Sequence, residues 1–189
     1  MTTHYLEIRL RSDPELAPSH LLAGLYARLH RALVQLDSRH IGLSFPDHQQ
    51  HPLGLGSRMR LHGPGAELER LMATPWLRGM EDYLERSPIH PAPANAQYRV
   101  VSRVQAKSNA DRLRRRAMKR HGLAEAEAAA RIPLAAEERL DLPFVTLGSR
   151  STGQPAFPLF IRHGPLVPSP QTGDFNSYGL SPKATVPWF

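Results

Sequence analysis

The stretch YLEIRLRSDPELAPSHLLAGLYARLHRALVQL, Tyr5 to Leu36, sets the architecture. From Tyr5 to Arg11 it alternates, with Leu6, Ile8 and Leu10 pointing one way and Glu7, Arg9 and Arg11 the other, as in a half-buried strand. Asp13-Pro14 and Pro18-Ser19 break that strand and prepare a helix start. From Ser19 to about Leu36, the residues Leu22, Leu25, Leu29, Leu33 and Leu36 make one apolar stripe. His30 lies about 80° from Leu22 on the same wheel, at the border of the stripe. A titrating group there is both held and reachable.

Outward from this unit, a second strand is expected at His40–Phe45, where Ile41, Leu43 and Phe45 alternate before Pro46 closes it. A polar loop rich in His, Gln and Gly runs from Asp47 to Gly56. Ser57–His62 reads as a third strand with Met59 and Leu61 inward. Pro64 suits a helix N1 position, Ala66–Met72 continues as a helix, and Thr74-Pro75 opens a further turn to Tyr83. Ser87–Asn95, with Pro88, Pro91 and Pro93, reads as a stiff connector, followed by a fourth strand from Gln97 to about Gln105. The order β-α-β-β-α-β predicts an α+β protein. Its first domain, residues 1–95, is expected to be ferredoxin-like, the arrangement also used by RNA-recognition domains. Residues 96–189 form a second domain: a helix over 109–121, another at Leu123–Arg131, a helical piece at Leu134–Leu140, and short antiparallel strands at Phe144–Leu147 and Phe157–Arg162. The third strand, SRMRLHG, has no aromatic stacking pair, so the sheet face is not expected to be the main reader of a nucleic acid.

Charge points to another reader. The segment RVVSRVQAKSNADRLRRRAMKRH, Arg99 to His121, holds nine Lys and Arg against Asp111 alone. That is +8 in a chain of net +7, so the rest is about −1. Ser108 and Asp111 have capping-box spacing, and Gly122 offers a C′ stop. On that helix Arg112, Arg115, Arg116, Lys119 and Arg120 fall within an arc of roughly 140°, while Leu113, Ala117 and Met118 face a core. Five like charges repel and do not serve helix stability. A solvated charged face is the bland alternative, but such faces mix signs and this one has no acid. Polyanion binding is the favoured reading.

Composition excludes several classes. A chain of 189 residues without cysteine has mass for a core but no disulfide framework and no Cys-based zinc site. No apolar run approaches about 18 residues, so neither a signal peptide nor a membrane span is expected, and the protein reads as cytoplasmic. The basic helix lacks the Trp, Phe and Leu face of an interfacial anchor, so nucleic acid is preferred to a membrane. Arg103 and Gln105 stand two apart on one strand face; Arg matches the guanine O6/N7 edge and Gln the adenine N6/N7 edge. A polar outer strand face explains the same pair.

The motifs SRVQAKSN (Ser102–Asn109), RLRRRAMKRH (Arg112–His121), LPFVTL (Leu142–Leu147), STGQ (Ser151–Gln154), LFIRHGPL (Leu159–Leu166), YGLS (Tyr178–Ser181) and VPWF (Val186–Phe189) occur in this order. Together with HYLEIRL at His4, LH at Leu29-His30 and RHIGLSFP at Arg39–Pro46, the chain resembles the type I-F CRISPR repeat-processing endoribonucleases over nearly its whole length.

The resemblance implies an enzyme that needs neither metal nor other cofactor and cuts repeat RNA at the 3′ base of its hairpin. His30 would take the proton of the ribose 2′-OH, Ser149 would hold that hydroxyl, and Tyr178 would orient the histidine, giving a 2′,3′-cyclic phosphate and a 5′-OH. Arg103 and Gln105 would read purines near the stem base. The basic segment, with Lys107, Arg112, Arg115, Arg116, Lys119, Arg120 and His121, would follow the RNA, and Phe157 would stack on the terminal base pair. The implied partners are the repeat stem-loop and the other subunits of the type I-F interference complex. The chemistry is sensible on its own terms. Attack by a 2′-OH needs a base near neutrality, and histidine, with an ordinary pKa of about 6.5, supplies one. From the residues alone, His30 reads as a structural helix histidine sooner than as a base, Ser149 as an ordinary turn serine with Ser151 its equal, and Tyr178 as a core or edge aromatic. Two departures stand out: Pro155-Ala156 lengthens the spacing before Phe157, and Lys119 replaces an arginine, keeping charge but losing the bidentate fork. A metal nuclease using Asp47, His48 and His51 and a non-catalytic hairpin-binding subunit are the competing readings.

Overall fold

The computed structural model describes residues 2–105, 110–132, 140–148 and 156–189, with backbone only for Ala110, Asp111 and Arg112. The chain divides into two compact units, Met1–Arg103 with Leu142–Phe189, and Val104–Asp141. The architecture is α+β, with four helices and antiparallel sheets among the described residues.

In the larger unit, strand β1 (His4–Leu10) leads into helix α1 (Pro18–Gln35), then β2 (Gly42–Ser44), a small hairpin of β3 (Gln49–Gln50) and β4 (Leu53–Gly54), and β5 (Arg58–Gly63). Helix α2 (Gly65–Met72) follows, then β6 (Leu84–Arg86) and β7 (His90–Pro91). The sheet order is β2-β5-β1-β6, with β7 also on β1. Register puts Leu6 opposite Leu61 and Ile8 opposite Met59, all fully buried. Leu22, Leu25, Leu29 and Leu33 of α1 are buried in the same core. The alternation and the helical stripe thus have one cause, a shared apolar interior.

The expected fourth strand is corrected. Residues Gln97–Val104 do form a strand, β8, but it joins a second sheet. The edge of the first sheet is instead the Pro-rich segment taken as a connector, where β6 pairs with Ile8–Leu10 and β7 with His4–Tyr5. Between them the hydroxyl of Ser87 accepts the Glu7 N–H at 2.9 Å. An edge strand tolerates such a break, because proline costs no donor on its open side.

The second sheet runs β11-β8-β10-β9, with β9 (Phe144–Leu147), β10 (Phe157–His163) and β11 (Thr185–Trp188). The C-terminal segment covers the back of the first sheet, so Arg60 and His62, outward by alternation, are buried. Arg60 is 4 % exposed; it pairs with the Glu7 carboxylate at 2.6 Å, donates to the main-chain oxygen of Phe189 at 3.1 Å and lies over the Phe189 ring. Gly42 is required there: a Cβ would come within 2.7 Å of Phe175 and Val186.

In the smaller unit, α3 (Ala110–His121) packs on α4 (Glu125–Arg131), with Leu113, Ala117 and Met118 half-buried and Ala128 buried. Arg114 Nε donates to the Ile132 carbonyl at 2.8 Å. The α3 helix stops at Gly122, whose φ of 62° suits a C′ glycine.

Histidines fill the space behind the first sheet. His62 is fully buried and accepts or donates one bond with Ser44 Oγ at 2.8 Å; burial, then the charge of Arg60, holds its pKa well below the ordinary value. His163 stacks on His48 at 3.7 Å, and its Nε2 accepts the Phe45 N–H at 3.3 Å. Burial first, then His48 and Arg99, push His163 down to about 3. The unfolded chain therefore takes up protons near pH 6.5 that these folded rings refuse. Stability should be full above about pH 6.5 and fall toward pH 3, by about 1.4 kcal/mol per pH unit for each such histidine. Thermal unfolding between pH 7.5 and 4.5 measures this, and a flat profile across that range would contradict the burial of both rings.

Candidate active site

Helix α1 delivers His30 to a loop almost at the other end of the chain. The ring Nδ1 lies 2.9 Å from the Ser177 carbonyl. A carbonyl only accepts, so Nδ1 carries a proton, and in the neutral ring the lone pair is therefore on Nε2. The imidazole also stacks on Tyr178, with centroids 4.1 Å apart and planes 3° from parallel. One contact fixes the tautomer and the other fixes the plane.

The loop is held from both sides. Asn176 Oδ1 accepts the N–H groups of Tyr178 and Leu180 at 2.9 and 3.1 Å. The Gly179 carbonyl accepts from Leu43 of β2 at 2.8 Å, and the Ser181 N–H donates to Val101 of β8 at 3.0 Å. Gly179 has φ 69°, and a Cβ there would sit 2.9 Å from Leu43 Cβ. Beneath, the fully buried Tyr26 donates its hydroxyl to the Tyr178 carbonyl at 2.8 Å. Burial above all, then the neighbouring Tyr178, raises the Tyr26 pKa well above its ordinary value, so it stays a donor.

Arg103, exposed on β8, brings its guanidinium to 5.8 Å from the Tyr178 ring and 5.8 Å from the Phe157 ring. Phe157 opens β10 opposite Leu147 of β9, and β9 packs against α1. His30, Tyr178, Arg103 and Phe157 therefore gather at one place. Within the smaller unit, Gln105, Arg115, Arg116, Lys119, Arg120 and His121 are exposed. Lys107, Ser149, Ser151 and the capping Ser108 lie outside the described residues, as does most of the helical piece expected at Leu134–Leu140, and the Arg112 side chain is not described. The triplet considered as a metal site is turned elsewhere: Asp47 pairs with Arg58 at 2.6 Å, and His48 stacks on His163.

Three parts of this site went unforeseen. Asn176 has a recognisable signal, an Asn three residues before a Gly, which favours a turn. Ser177 acts through a backbone oxygen, which no side-chain pattern marks. Tyr26 sits in the apolar stripe and reads as core.

Residues 5–189 match the family model described as CRISPR-associated protein (Cas_Csy4). The chain belongs to that family. It is 52% identical over 186 residues to the CRISPR-associated endonuclease Cas6/Csy4 of Pseudomonas aeruginosa (strain UCBPP-PA14), covering 98% of this chain and 99% of the relative. It is 49% identical over 186 residues to the enzyme of the same name from Escherichia coli (strain UTI89 / UPEC), with the same coverage. The family resemblance drawn from the motifs is borne out. In Cas6/Csy4 terms, the YGLS motif here does backbone work: its glycine makes one turn, and its serine caps the next, with Ser181 Oγ accepting the Ala184 N–H at 2.9 Å.

Gly179→Ala should destabilise the protein by about 2 kcal/mol or more, from the left-handed backbone and the Leu43 contact together. Urea unfolding of the variant against wild type reads this directly.

Proposed function

We propose that this protein is a metal-independent, hairpin-specific endoribonuclease that cuts CRISPR repeat RNA at the 3′ base of its stem-loop and keeps the mature hairpin. The carrying observation is the His30 geometry: Nδ1 donating to Ser177, the ring flat on Tyr178, and Nε2 left as the acceptor. Relatives named CRISPR-associated endonucleases at 52% and 49% identity support the endonuclease reading. The first sheet, β2-β5-β1-β6 with α1 and α2 between its strands, supports a ferredoxin-like first domain.

In this reading Nε2 of His30 removes the 2′-OH proton as the oxygen attacks the adjacent phosphorus. The phosphorus–5′-oxygen bond breaks, the 5′-oxygen leaves and is protonated, and the 2′,3′-cyclic phosphate remains. Ser149 holds the attacking hydroxyl. Tyr178 keeps the imidazole in plane, so that nucleophile and phosphorus meet in line. Arg103 and Gln105 read the stem base, and Phe157 stacks on it. The cationic face of α3, with Lys107 before it, tracks the phosphates. Other subunits of the interference complex then receive the bound hairpin.

A synthetic hairpin of the host's repeat, incubated with protein in EDTA, tests this. Wild type should cleave to a cyclic phosphate, and a 2′-deoxy substitution before the cut should abolish cleavage. His30→Ala should lose on the order of 10²–10⁴-fold. Tyr178→Leu should lose about tenfold to a hundredfold by misplacing the base, while Tyr178→Phe, which keeps the stacked ring, should stay near wild type. Tight binding without cleavage would leave a hairpin-capping subunit, and activity restricted to added divalent metal would overturn the mechanism. Binding should also weaken about a thousandfold from 50 to 200 mM salt if about six phosphates are neutralised.

A further inference from the structure

Consecutive main-chain oxygens of the turn beside the site, those of Ser177 and Tyr178, are both taken by side chains of α1. His30 Nδ1 donates to the first at 2.9 Å, and the Tyr26 hydroxyl donates to the second at 2.8 Å. Tyr26 and His30 stand four residues apart, about one helical turn, so they leave the same face of α1. The turn's own backbone bonds run elsewhere. Gly179 N–H donates to the Asn176 carbonyl at 2.8 Å, and Asn176 N–H donates to the Leu180 carbonyl at 2.9 Å. Among the described residues, the Tyr26 hydroxyl is the one donor that reaches the Tyr178 carbonyl. The rings repeat the arrangement. Tyr26 meets the Tyr178 ring edge-on, with centroids 6.4 Å apart and planes at 71°, while Tyr178 stacks on His30. Phe45 in turn meets Tyr26 edge-on at 6.0 Å. Tyr26 is fully buried. A buried phenol costs desolvation that phenylalanine would not, unless its hydroxyl finds a partner, and here that partner belongs to the site.

We infer that Tyr26 is a positioning residue for the reaction, tying the turn that orients His30 to the helix that carries His30. Its effect on rate rests on the proposed endoribonuclease reading; its effect on the imidazole does not. Tyr26, His30, Ser177 and Tyr178 form a closed ring of constraints. The helix fixes the spacing between Tyr26 and His30. The two carbonyls flank the Tyr178 Cα, so only φ and ψ of that residue separate them, and the stacked ring hangs from the same carbon. Asn176 and the bond from Leu43 to Gly179 shape the turn internally and against β2. Apart from the bond of His30 itself, the Tyr26 hydroxyl makes the only hydrogen bond from α1 to this turn among the described residues. Without it the peptide after Tyr178 is free to rotate, which moves both the Ser177 oxygen and the Tyr178 ring against the imidazole. A base displaced by about 1 Å loses on the order of a hundredfold in rate, so a partial loosening is worth about tenfold. Because Tyr26 is buried and offers no surface to RNA, its effect falls on rate and not on affinity.

Tyr26→Phe keeps the buried ring and removes only the hydroxyl. With saturating protein and a cleavable repeat hairpin in EDTA, its single-turnover rate should fall about tenfold, while Kd for the uncleavable 2′-deoxy hairpin stays within about twofold of wild type. Nitrogen-15 NMR of the free protein at about pH 8.5, where the histidine ring is neutral, reads the second consequence. Wild-type His30 should carry its proton on Nδ1, and Tyr26→Phe should show a mixture with the Nε2 tautomer. Added to His30→Ala, Tyr26→Phe should slow cleavage no further, because it acts through that ring. Ile8→Val, a small loss from a fully buried position of β1, controls for stability and should change neither rate nor tautomer. A Tyr26→Phe protein with the wild-type tautomer, or with a rate within about twofold of wild type, overturns the assignment. So does an equal loss in Ile8→Val, or a further loss on top of His30→Ala. A wild type that does not cleave overturns the endoribonuclease reading instead, and the tautomer alone then decides whether Tyr26 positions the ring.

Discussion

The hydrogen bond from His30 to the Ser177 carbonyl joins residues 147 apart in sequence. A histidine on a helix surface is free to hold its proton on either nitrogen and to rotate about two side-chain bonds. The carbonyl removes the first freedom and the Tyr178 ring restricts the second. Both constraints come from one turn, and that turn exists because Asn176 caps it, Gly179 can take a positive φ, and β2 and β8 each supply a backbone partner. The strands from the two ends of the chain must pair correctly before the imidazole has a defined tautomer. Folding and chemistry meet at this bond.

The same dependence explains why so much polar surface is buried behind the first sheet. Were that sheet solvated on one side, Glu7, Arg60 and His62 would be ordinary outward residues. Covering it with the C-terminal segment desolvates them, and each then needs a specific partner. Arg60 finds the Glu7 carboxylate, the Phe189 oxygen and two aromatic faces, Tyr5 and Phe189. Arg99 is satisfied in a similar way, donating to the Gly164 carbonyl at 2.6 Å and lying 4.4 Å from the Trp188 ring centroid. Polar partners with fixed geometry admit one register, whereas an apolar face would tolerate sliding. The buried ion pair thus contributes uniqueness of docking for the segment that also carries Tyr178.

Local pattern made much of this legible. Alternation in Tyr5–Arg11 and the leucine stripe of α1 report burial by neighbours close in space and sequence, so both elements appear where expected. Partner choice is a different matter. Residues Gln97–Val104 look like a strand because they are one, but nothing local says that they pair with Thr185–Trp188 instead of β1. Leu84–Arg86 is too short and too close to proline to announce itself as an edge. Burial of His62 depends on residues more than a hundred positions away. For the site, the motifs marked His30 and Tyr178, but the group that sets the tautomer is a backbone oxygen, and backbone oxygens leave no trace in residue identity.

The arrangement also accounts for where the cations are. A strongly positive core-forming body repels itself. Here the excess charge is concentrated in the segment Arg99–His121, while the rest of the chain sums to about −1. The larger unit uses its buried and half-buried arginines for pairing and aromatic contacts. Two kinds of arginine result. Those with carboxylate, carbonyl and ring partners, Arg58, Arg60 and Arg99, hold the fold. Others, such as Arg31 and Arg78, face solvent with no carboxylate paired to them among the described residues and stay hydrated. Because burial forces the first kind to be satisfied and exposure spares the second, the distinction between arginines that hold the fold and those left hydrated follows from desolvation.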